Sequence, residues 1–512
     1  MPLFDFLLKS NNNINNKKKV LILYHINVRR KTMDITNADI SSLQDEMDKG
    51  RLNAADLTIA YLKRIQQYDQ SGPKINSVAE LNPDAVSMAE ALDRERAISG
   101  SRGPLHGIPV LLKDNISTGD KMHTTAGAVA LSDNFARKDA PLVEQLRKAG
   151  AVILGKTNLS EFARYIASEF PDGYSSRCGQ VKNPYDSSFP VSGSSSGSAA
   201  AAAGSFCSAA VGTETAGSIT FPAILSGICG LKPTVGLISR SGIIPICGQD
   251  TAGPMAATVT DCAILLGGMV TGPDIDDPAT GCTEHLTHRD YRKFLKKDSL
   301  LGLRIGVNRV WSEKDSFPRD STDIFEEELS LLQKAGAELV DCDIPFTGLQ
   351  SGILGQATML YEFKSALNYY LTRYATGQCR SLADIVAYNE QHANTALRYG
   401  QDLLLLAQNQ TTGRLVEGAY WSQKLRAVEE GRHAIDDCMS RHKLDVITSP
   451  CYSNLPAITG YPSMVVPMGL SQSGIPTGIS FYASAFQEGK VLRAAYGYEQ
   501  VSKRRIPPAF DR

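Results

Sequence analysis

Serine and threonine hydroxyls are concentrated in one weakly charged segment, residues 192–222, which reads SGSSSGSAAAAAGSFCSAAVGTETAGSITFP. Its serines lie mainly in GSSSGS (193–198) and GTETAGSI (212–219). Small residues at this density suit backbone that passes close to other backbone, or amide N–H groups that point into a site. Hydroxyls beside such N–H groups supply what acyl transfer requires, a nucleophile and donors for an oxyanion. A Gly/Ser linker is the other interpretation, but a linker stays polar, whereas this segment continues into the apolar residues 221–225.

A lysine follows an apolar run in a second segment, residues 103–115, GPLHGIPVLLKDN. Residues 109–112 predict a short buried strand, and Lys113 closes it. A lysine in this position usually extends its amine to water. If the side chain turns inward, desolvation favours the neutral amine, which can act as a base.

Taken together, IPVLLKDN and GSSSGSAAAAAG…GTETAGSI resemble the amidase signature family, which uses a Ser–cis-Ser–Lys triad. The resemblance implies that Ser218 attacks an amide carbonyl. It implies that Ser194, on a cis peptide bond after Gly193, relays the proton of that nucleophile. Lys113, neutral at rest, is then the final base. The triad forms an acyl-enzyme and is expected to need neither a metal nor an organic cofactor.

The same resemblance assigns supporting roles to neighbouring residues. Ser195 is expected to help fix the Lys–Ser network. The backbone N–H groups implied to bind the oxyanion belong to Thr215, Ala216, Gly217 and Ser218. The chain departs from many members at three of its positions, with Ala216 in place of Gly, Ser196 in place of Gly and Thr220 in place of Arg.

The branch of the family is suggested by residues outside the triad. Thr220, together with GLISRSGIIP and QDTAGPM downstream, resembles the peptide-amidase branch more than the branch that deaminates glutamine for tRNA charging. The expected substrate is therefore a primary amide, such as the C-terminal amide of a peptide. An A-type subunit of a glutamine-dependent amidotransferase remains the alternative, and it would be active only with a partner chain and an ammonia acceptor.

An α/β-hydrolase esterase is a second alternative, because residues 193–197 also satisfy G-x-S-x-G. That fold needs a strand directly before the serine, and Pro190 makes the preceding residues a poor central strand. The histidines available to such a triad stand in no diagnostic context: His285, His288, His392, His433 and His442. His106 and His123 are expected to be structural.

Composition excludes several other classes of function. The 512 residues contain 53 Lys+Arg and 54 Asp+Glu, a net charge of −1, so no basic excess points to nucleic acid. The apolar stretch 20–28 is far too short for a transmembrane span. The 10 cysteines form neither a CxxC pair nor a cluster with zinc spacing, which predicts reduced thiols and a cytoplasmic protein. The oligomeric state is left open.

Alternating helix and strand patterns predict an α/β fold: a single large domain, 34–512, with a mixed twisted β-sheet covered by α-helices on both faces. The resemblance spans residues 36–508. The predicted helices cover 36–50 (capped by Thr36 with Asp39), 54–68, 82–98, 141–149, 258–270, 322–335, much of 355–440, and 491–502. The predicted strands cover 109–112, 151–155, 229–231, 303–307, 337–340, 445–448, 463–467 and 477–481.

Residues 1–33 are predicted to be a low-complexity, disordered extension outside the fold, because NNNINNKKK at 11–19 is polar and repetitive. Met33 then becomes a candidate start. We expect that deleting residues 1–32 leaves yield and activity unchanged, which expression of the truncated chain and an activity assay would measure. Loss of soluble, active protein in that truncation would contradict the boundary.

Overall fold

A large β-sheet forms the centre of the chain. The computed structural model describes residues 34–36, 38–283, 289–309, 320–342, 344 and 353–510. The strands of these residues are β1 (Val78–Leu81), β2 (Pro109–Lys113), β3 (Val152–Thr157), β4 (Tyr174–Ser175), β5 (Gly179–Gln180), β6 (Ala209–Glu214), β7 (Cys229–Lys232), β8 (Thr251–Ala256), β9 (Arg304–Val307), β10 (Glu338–Asp341), β11 (Val446–Pro450), β12 (Ser463–Leu470) and β13 (Pro476–Tyr482).

The sheet is mixed. Its eleven strands run in the order β1-β3-β2-β6-β8-β7-β12-β13-β11-β9-β10, and β4 pairs with β5 in a separate antiparallel ribbon. Strand β2 is parallel to both β3 and β6, and β9 is parallel to both β10 and β11, whereas the other neighbours are antiparallel. Because β2 and β6 are parallel neighbours, their C-terminal ends lie side by side at one edge of the sheet.

Helices precede the first strand, lie between later strands and end the fold. They are α1 (Ile40–Asp48), α2 (Ala54–Arg64, continued by a π-helix Ile65–Gln70), α3 (Ala85–Ser99), α4 (Pro141–Lys148), α5 (Ser196–Ala203), α6 (Thr220–Leu225), α7 (Val259–Met269), α8 (Ser321–Lys334), α9 (Ile353–Arg373), α10 (Leu382–Gln391), α11 (Ala393–Ala396), α12 (Asp402–Gln410), α13 (Gly418–His442), α14 (Leu455–Thr459) and α15 (Glu488–Ser502). Among the described residues, no helix combines the length and the apolar character needed to cross a membrane.

Burial of the central strands confirms the predicted fold class. Every residue of β2, β3, β6, β7 and β8 is buried, so both faces of this part of the sheet are covered. The edge strands β1 and β10 are only partly buried. The result is the predicted single-domain α/β architecture, a large mixed sheet flanked by helices.

The predicted elements agree with the structure within a few residues, with informative exceptions. The N-cap of α1 is Asp39, whose carboxylate accepts from the Ser42 N–H group, so Thr36 is not the cap. The sequence patterns predict neither strand β1 nor helix α5, which the alanine run 199–203 forms. The extension predicted for residues 1–33 lies outside the described residues, as do His285 and His288.

Helix α5 carries the serine-rich segment into the core. Alanine is the best helix former, and all eight residues of α5 are buried. Its first turn lies against the chain that leaves β3, so a Cβ added at Gly197 would collide with the carbonyl oxygens of Asn158 and Ser77. The Gly197 N–H group donates to the Asn158 carbonyl at 3.0 Å. Glycine is therefore required here for close backbone approach.

A second apolar cluster lies beside the main core. It is formed by α9, α10 and α12, packed against the loops around 126–131, 162–170 and 244–247. The same helices belong to the long region, 355–440, for which the sequence predicts mostly helix. This cluster places a wall of apolar side chains above the C-terminal ends of β2 and β6.

We expect Gly197→Ala to lower the free energy of unfolding by about 3 kcal/mol, because an added methyl group meets backbone that cannot move aside cheaply. Urea denaturation of the variant measures this loss. Gly418→Ala is the matched control, since nothing lies within 4 Å of a Cβ at Gly418 and its loss should be near zero. Equal urea midpoints for the two variants would show that the backbone around Gly197 shifts to accommodate the added methyl group.

Candidate active site

The site begins where two parallel strands end. Lys113 is the last residue of β2, and Thr213 is the fifth residue of β6. The register places Leu112 opposite Val211, so the side chain of Lys113 reaches the end of β6. Strand pairing thus brings together two sequence segments that are about 100 residues apart.

The Lys113 amine is surrounded by oxygen atoms. Its Nζ lies 2.7 Å from Ser194 Oγ, 3.0 Å from Ser195 Oγ, 2.9 Å from Thr213 Oγ1 and 3.2 Å from the Thr213 carbonyl oxygen. The side chain is fully buried. No carboxylate lies within ion-pair distance of Nζ among the described residues, so hydroxyl and carbonyl dipoles solvate the amine.

Burial changes the proton affinity of this amine. Desolvation lowers the pKa of Lys113 to about 7, and the negative charges of Asp250 and Glu214 oppose the shift. A lysine in water has a pKa near 10.4. Near neutral pH, the buried amine therefore spends much of its time uncharged, the state in which its lone pair accepts a proton.

The loop before α5 presents Ser194 and Ser195 to this amine. The Gly193–Ser194 peptide bond is cis, as the resemblance predicts. Ser195 stands at the N-cap of α5, but its side chain makes no capping bond. Its hydroxyl instead donates to the Thr213 carbonyl at 2.9 Å and accepts from the Thr213 N–H group at 3.1 Å. Ser195 Oγ thereby joins the turn at Ser194 to the end of β6.

Ser218 approaches the same place from the other side. The Ser195 N–H group donates to the Ser218 carbonyl at 3.1 Å, which ties the loop after β6 to the loop before α5. Gly217 precedes it with a φ of +78°, and a Cβ there would lie 2.7 Å from Tyr452 Cε2. A glycine at 217 is therefore required by both conformation and contact.

The backbone N–H groups of the loop 215–218 form the next part of the site. In the described part of the chain, no protein acceptor is hydrogen-bonded to the N–H groups of Ala216, Gly217 and Ser218. The next two N–H groups, of Ile219 and Thr220, donate to Glu214 Oε2 at 2.8 and 2.9 Å. These three N–H groups come just before the turn that Glu214 holds. A row of backbone N–H groups held in this way can bind an anion or an oxyanion.

Thr215 is held by the segment before β8. Its hydroxyl donates to Asp250 Oδ1 at 2.6 Å, and its carbonyl accepts from Gln249 Nε2 at 2.7 Å. Asp250 is buried, and its other oxygen accepts from the Ile246 and Cys247 N–H groups at 2.6 and 3.1 Å. Burial raises the pKa of the Asp250 carboxyl above its usual range.

A cavity of about 610 Å³ opens over these groups. Ser194, Ser218 and the loop 215–217 form its floor. Its walls are largely apolar, and they include Tyr165, Phe221, Ile246, Leu360, Leu403 and Tyr452. Arg164 and Asp172 add one ion pair, 3.2 Å between Nε and Oδ1, with both side chains partly exposed. The volume and lining suit a small organic ligand with one polar end.

Histidines take no part in this constellation within the described residues. His106 is buried with Nε2 2.9 Å from the Leu92 carbonyl, and His123 pairs with Glu80 at 2.9 Å. Both are structural, as the sequence indicates. No strand immediately precedes Ser195 in the described chain, and its hydroxyl faces Lys113, so the α/β-hydrolase alternative is wrong.

Some contacts of the site are absent from the sequence-based predictions. Thr213 and Asn115 lie inside quoted motifs, yet only the fold shows that Asn115 Nδ2 donates to Thr213 Oγ1 at 3.0 Å beside the lysine. The segment QDTAGPM serves above only to suggest the branch of the family, and the structure shows that Gln249 and Asp250 hold Thr215 directly. The motif letters are visible in the sequence, but their three-dimensional partners are not.

Comparison with known proteins identifies the family. The family model for Amidase matches residues 56–458 of this sequence. This chain belongs to the amidase signature family. It is an amidase, a hydrolase that acts on carbon–nitrogen bonds of linear amides.

Individual members of the amidase signature family match over nearly the full length. The peptide amidase of Stenotrophomonas maltophilia has a solved structure with a TM-score of 0.87 and 41% sequence identity, over 93% of this chain and 99% of that chain. A probable amidase of Arabidopsis thaliana is 37% identical over 94% of this chain and 93% of its own length. The A-type subunit of a glutamyl-tRNA(Gln) amidotransferase from Thermoanaerobacter pseudethanolicus is 30% identical over 93% of this chain and 99% of its own length.

Proposed function

We propose that this amidase hydrolyses primary amides, among them the C-terminal amides of peptides, through an acyl-enzyme on Ser218. Lys113 is the base and Ser194 relays the proton. The observation that carries the proposal is that the buried Lys113 amine lies 2.7 Å from Ser194 Oγ, and that Ser194 and Ser218 share the cavity floor. We assign the activity to an amidase domain of residues 34–512, which the family match over 56–458 supports.

The hydrogen bonds around the neutral Lys113 amine use both of its N–H groups and leave its lone pair directed at Ser194. Ser195 donates its only hydroxyl proton to the Thr213 carbonyl, so Ser195 Oγ accepts from Nζ. A second N–H of the amine is directed at Thr213. The remaining lone pair faces Ser194 Oγ and accepts its proton. Ser194 then takes the proton of Ser218 as the Ser218 oxygen attacks the amide carbon.

Charge on the former carbonyl oxygen is stabilised by the loop 215–218. The unpaired N–H groups of Ala216, Gly217 and Ser218 donate to the oxyanion. When the tetrahedral intermediate collapses, the C–N bond breaks, and Ser194 returns a proton to the departing nitrogen, which leaves as ammonia. Water then attacks the ester of Ser218 by the same relay, and the carboxylic acid is released.

The proposed substrate class follows from the cavity and from similarity. An apolar wall with one ion pair accommodates a peptide-like acyl group with few charges. The similar protein of Stenotrophomonas maltophilia is a peptide amidase, and the two share 41% identity. Similarity to the A-type subunit of an amidotransferase favours glutamine deamination as the second candidate.

We expect the purified chain alone to release ammonia from an N-acylated dipeptide amide. Ser218→Ala and Lys113→Met should each lower kcat by at least about a thousandfold, because members of one catalytic unit act together. Ammonia release, measured with dipeptide amides, an aryl amide and glutamine, tests both the substrate class and the triad. Near-normal turnover in Ser218→Ala would show that another residue is the nucleophile.

Lys156→Met is the matched control for the lysine variant. Lys156 is also fully buried near a strand end, but its Nζ donates to the Ile116 and His123 carbonyls and to Thr124 Oγ1, at 2.8, 3.0 and 2.9 Å, away from the cavity. Its loss should reduce stability while the specific activity of folded protein is kept. Ammonia release that occurs only with glutamine and an added partner chain would favour the amidotransferase alternative instead.

Activity should depend on the protonation of Lys113. Since the neutral amine is the base and its pKa is about 7, kcat/KM should fall about tenfold per pH unit below that value and level off above it. Asp250→Asn removes a negative charge that raises the pKa of Lys113, so the rising limb should move to lower pH. Kinetics between about pH 5 and pH 9 measure both effects.

Asp261→Asn serves as the control, because Asp261 is a buried carboxylate whose oxygen accepts from the Ile40 N–H group, away from the cavity. Its pH profile should match that of the unmodified protein. A rate that peaks in acid would be incompatible with a neutral lysine base.

A further inference from the structure

The segment 246–250, which holds Thr215, is itself held by one side chain from a distant helix and by one from the residues just before the segment. Glu362, on α9, accepts a hydrogen bond from the Gly248 N–H group through Oε2. Arg240 donates to the Gly248 carbonyl from the other side through Nη1. The N–H group and the carbonyl of Gly248 are therefore both hydrogen-bonded to charged side chains, which make stronger hydrogen bonds than neutral ones.

Glu362 is positioned for this contact by partners of its own. It is buried, and its Oε1 accepts from Tyr420 Oη and from Lys424 Nζ, both at 2.6 Å. Tyr420 and Lys424 lie on α13, so this carboxylate joins α9, α13 and the loop. A Cβ at Gly248 would lie 3.0 Å from Glu362 Oε2, so a larger residue would push the carboxylate away.

Arg240 is fixed as firmly as Glu362. Its Nε donates to Asp277 Oδ2 at 2.9 Å, and its backbone N–H group donates to the same oxygen at 2.8 Å. A second guanidinium nitrogen pairs with the other Asp277 oxygen. The carbonyl of Gly248 is thus bound by a group that has little freedom to follow it if the loop moves.

From Gly248 the contacts lead directly to the oxyanion loop. The next residue, Gln249, donates to the Thr215 carbonyl, and Asp250 accepts from the Thr215 hydroxyl. Thr215 immediately precedes the backbone N–H groups of Ala216 to Ser218. A displacement of Gly248 therefore changes where these N–H groups point, and misplacement of catalytic donors by about 1 Å costs about a hundredfold in rate.

We propose that Glu362 and Arg240 are positioning residues of the amidase reaction, which clamp the Gly248 peptide units and so hold the oxyanion-binding N–H groups in place. Neither side chain lines the cavity over Ser194 and Ser218. The inference rests on the proposed function, because it needs the N–H groups of Ala216, Gly217 and Ser218 to bind the oxyanion. Of the 246–250 segment, Ile246 lines the cavity, so substrate binding depends less on the clamp than oxyanion binding does.

The test compares Glu362→Met with Glu362→Gln. Methionine removes both acceptor oxygens at similar length, so kcat for a dipeptide amide should fall about tenfold to a hundredfold, while KM changes less than about threefold. Glutamine keeps one acceptor oxygen for the Gly248 N–H group and should recover most of kcat. A peptide aldehyde, which adds the Ser218 O–H across its carbonyl and leaves an oxygen in the oxyanion position, should bind Glu362→Met more weakly by the same factor as kcat.

Glu328→Met is the matched control for the loss of a buried glutamate. Glu328 is fully buried on α8, accepts from Tyr498 Oη at 2.9 Å and from Arg504 Nε at 2.8 Å, and has no contact with the 246–250 segment. This variant should lose stability but keep kcat and aldehyde affinity. Equal falls in kcat for Glu328→Met and Glu362→Met, measured per folded protein, would mean that general destabilisation explains both and would overturn the proposal.

Gln249→Leu tests the same contact path if Glu362→Met does not fold, since it removes only the bond to the Thr215 carbonyl. It should lower kcat and aldehyde affinity together at a nearly constant KM. Wild-type kcat in folded Glu362→Met, or in Gln249→Leu, refutes the clamp. If Ser218→Ala is inactive in the same assay, the proposed function survives that failure; if Ser218→Ala is active, the proposed function fails independently.

Discussion

The site depends on an amine that has been taken out of water and surrounded by groups able to exchange protons. Lys113 closes a strand whose every residue is buried, so the cost of desolvation falls on its charged form. Lys156 shows that burial alone does not place an amine in the site. Both amines are fully buried near the ends of neighbouring strands, and burial lowers the pKa of both. Lys156 contacts two carbonyl oxygens and the Thr124 hydroxyl, none of which lines the cavity, whereas Lys113 contacts the hydroxyl of Ser194, which does.

Two buried carboxylates have a double effect on this arrangement. Glu214 accepts the N–H groups of Ile219 and Thr220, and Asp250 accepts the hydroxyl of Thr215, so they fix both ends of the loop that carries Ser218. The same two charges raise the pKa of Lys113 against the effect of burial. The loop geometry and the pKa of the Lys113 amine are therefore set by shared residues, so a change in either carboxylate affects both.

The helices of the region 353–442 enclose the cavity and hold the segment behind it. Helices α9 and α12 add the apolar wall of the cavity, and α9 and α13 hold the 246–250 segment through Glu362 and its partners. This helical region contributes both the apolar wall of the cavity and the contacts behind the loop that we propose binds the oxyanion. A change in these helices would therefore affect both features.

Local patterns in the sequence determined most of the elements and the identity of the chemical groups. The apolar run before Lys113, the two Gly/Ser motifs and the alternation of helix and strand were sufficient for the fold class, the family and the triad candidates. The sequence does not predict strand β1, because this strand has only four residues and one of them is buried. It does not predict helix α5, because alanine and serine give no periodic apolar pattern.

Only the tertiary structure decided which polar groups meet. Thr213, Asn115, Gln249 and Glu362 come from separate segments, and their contacts join residues that are 34 to 114 positions apart in the sequence. Spacing along the chain carries no information on such distances, because the direction of a buried side chain depends on the neighbours that enclose it. The sequence therefore identified the amine and the hydroxyls, and the fold determined that the amine is buried and lies close to Ser194.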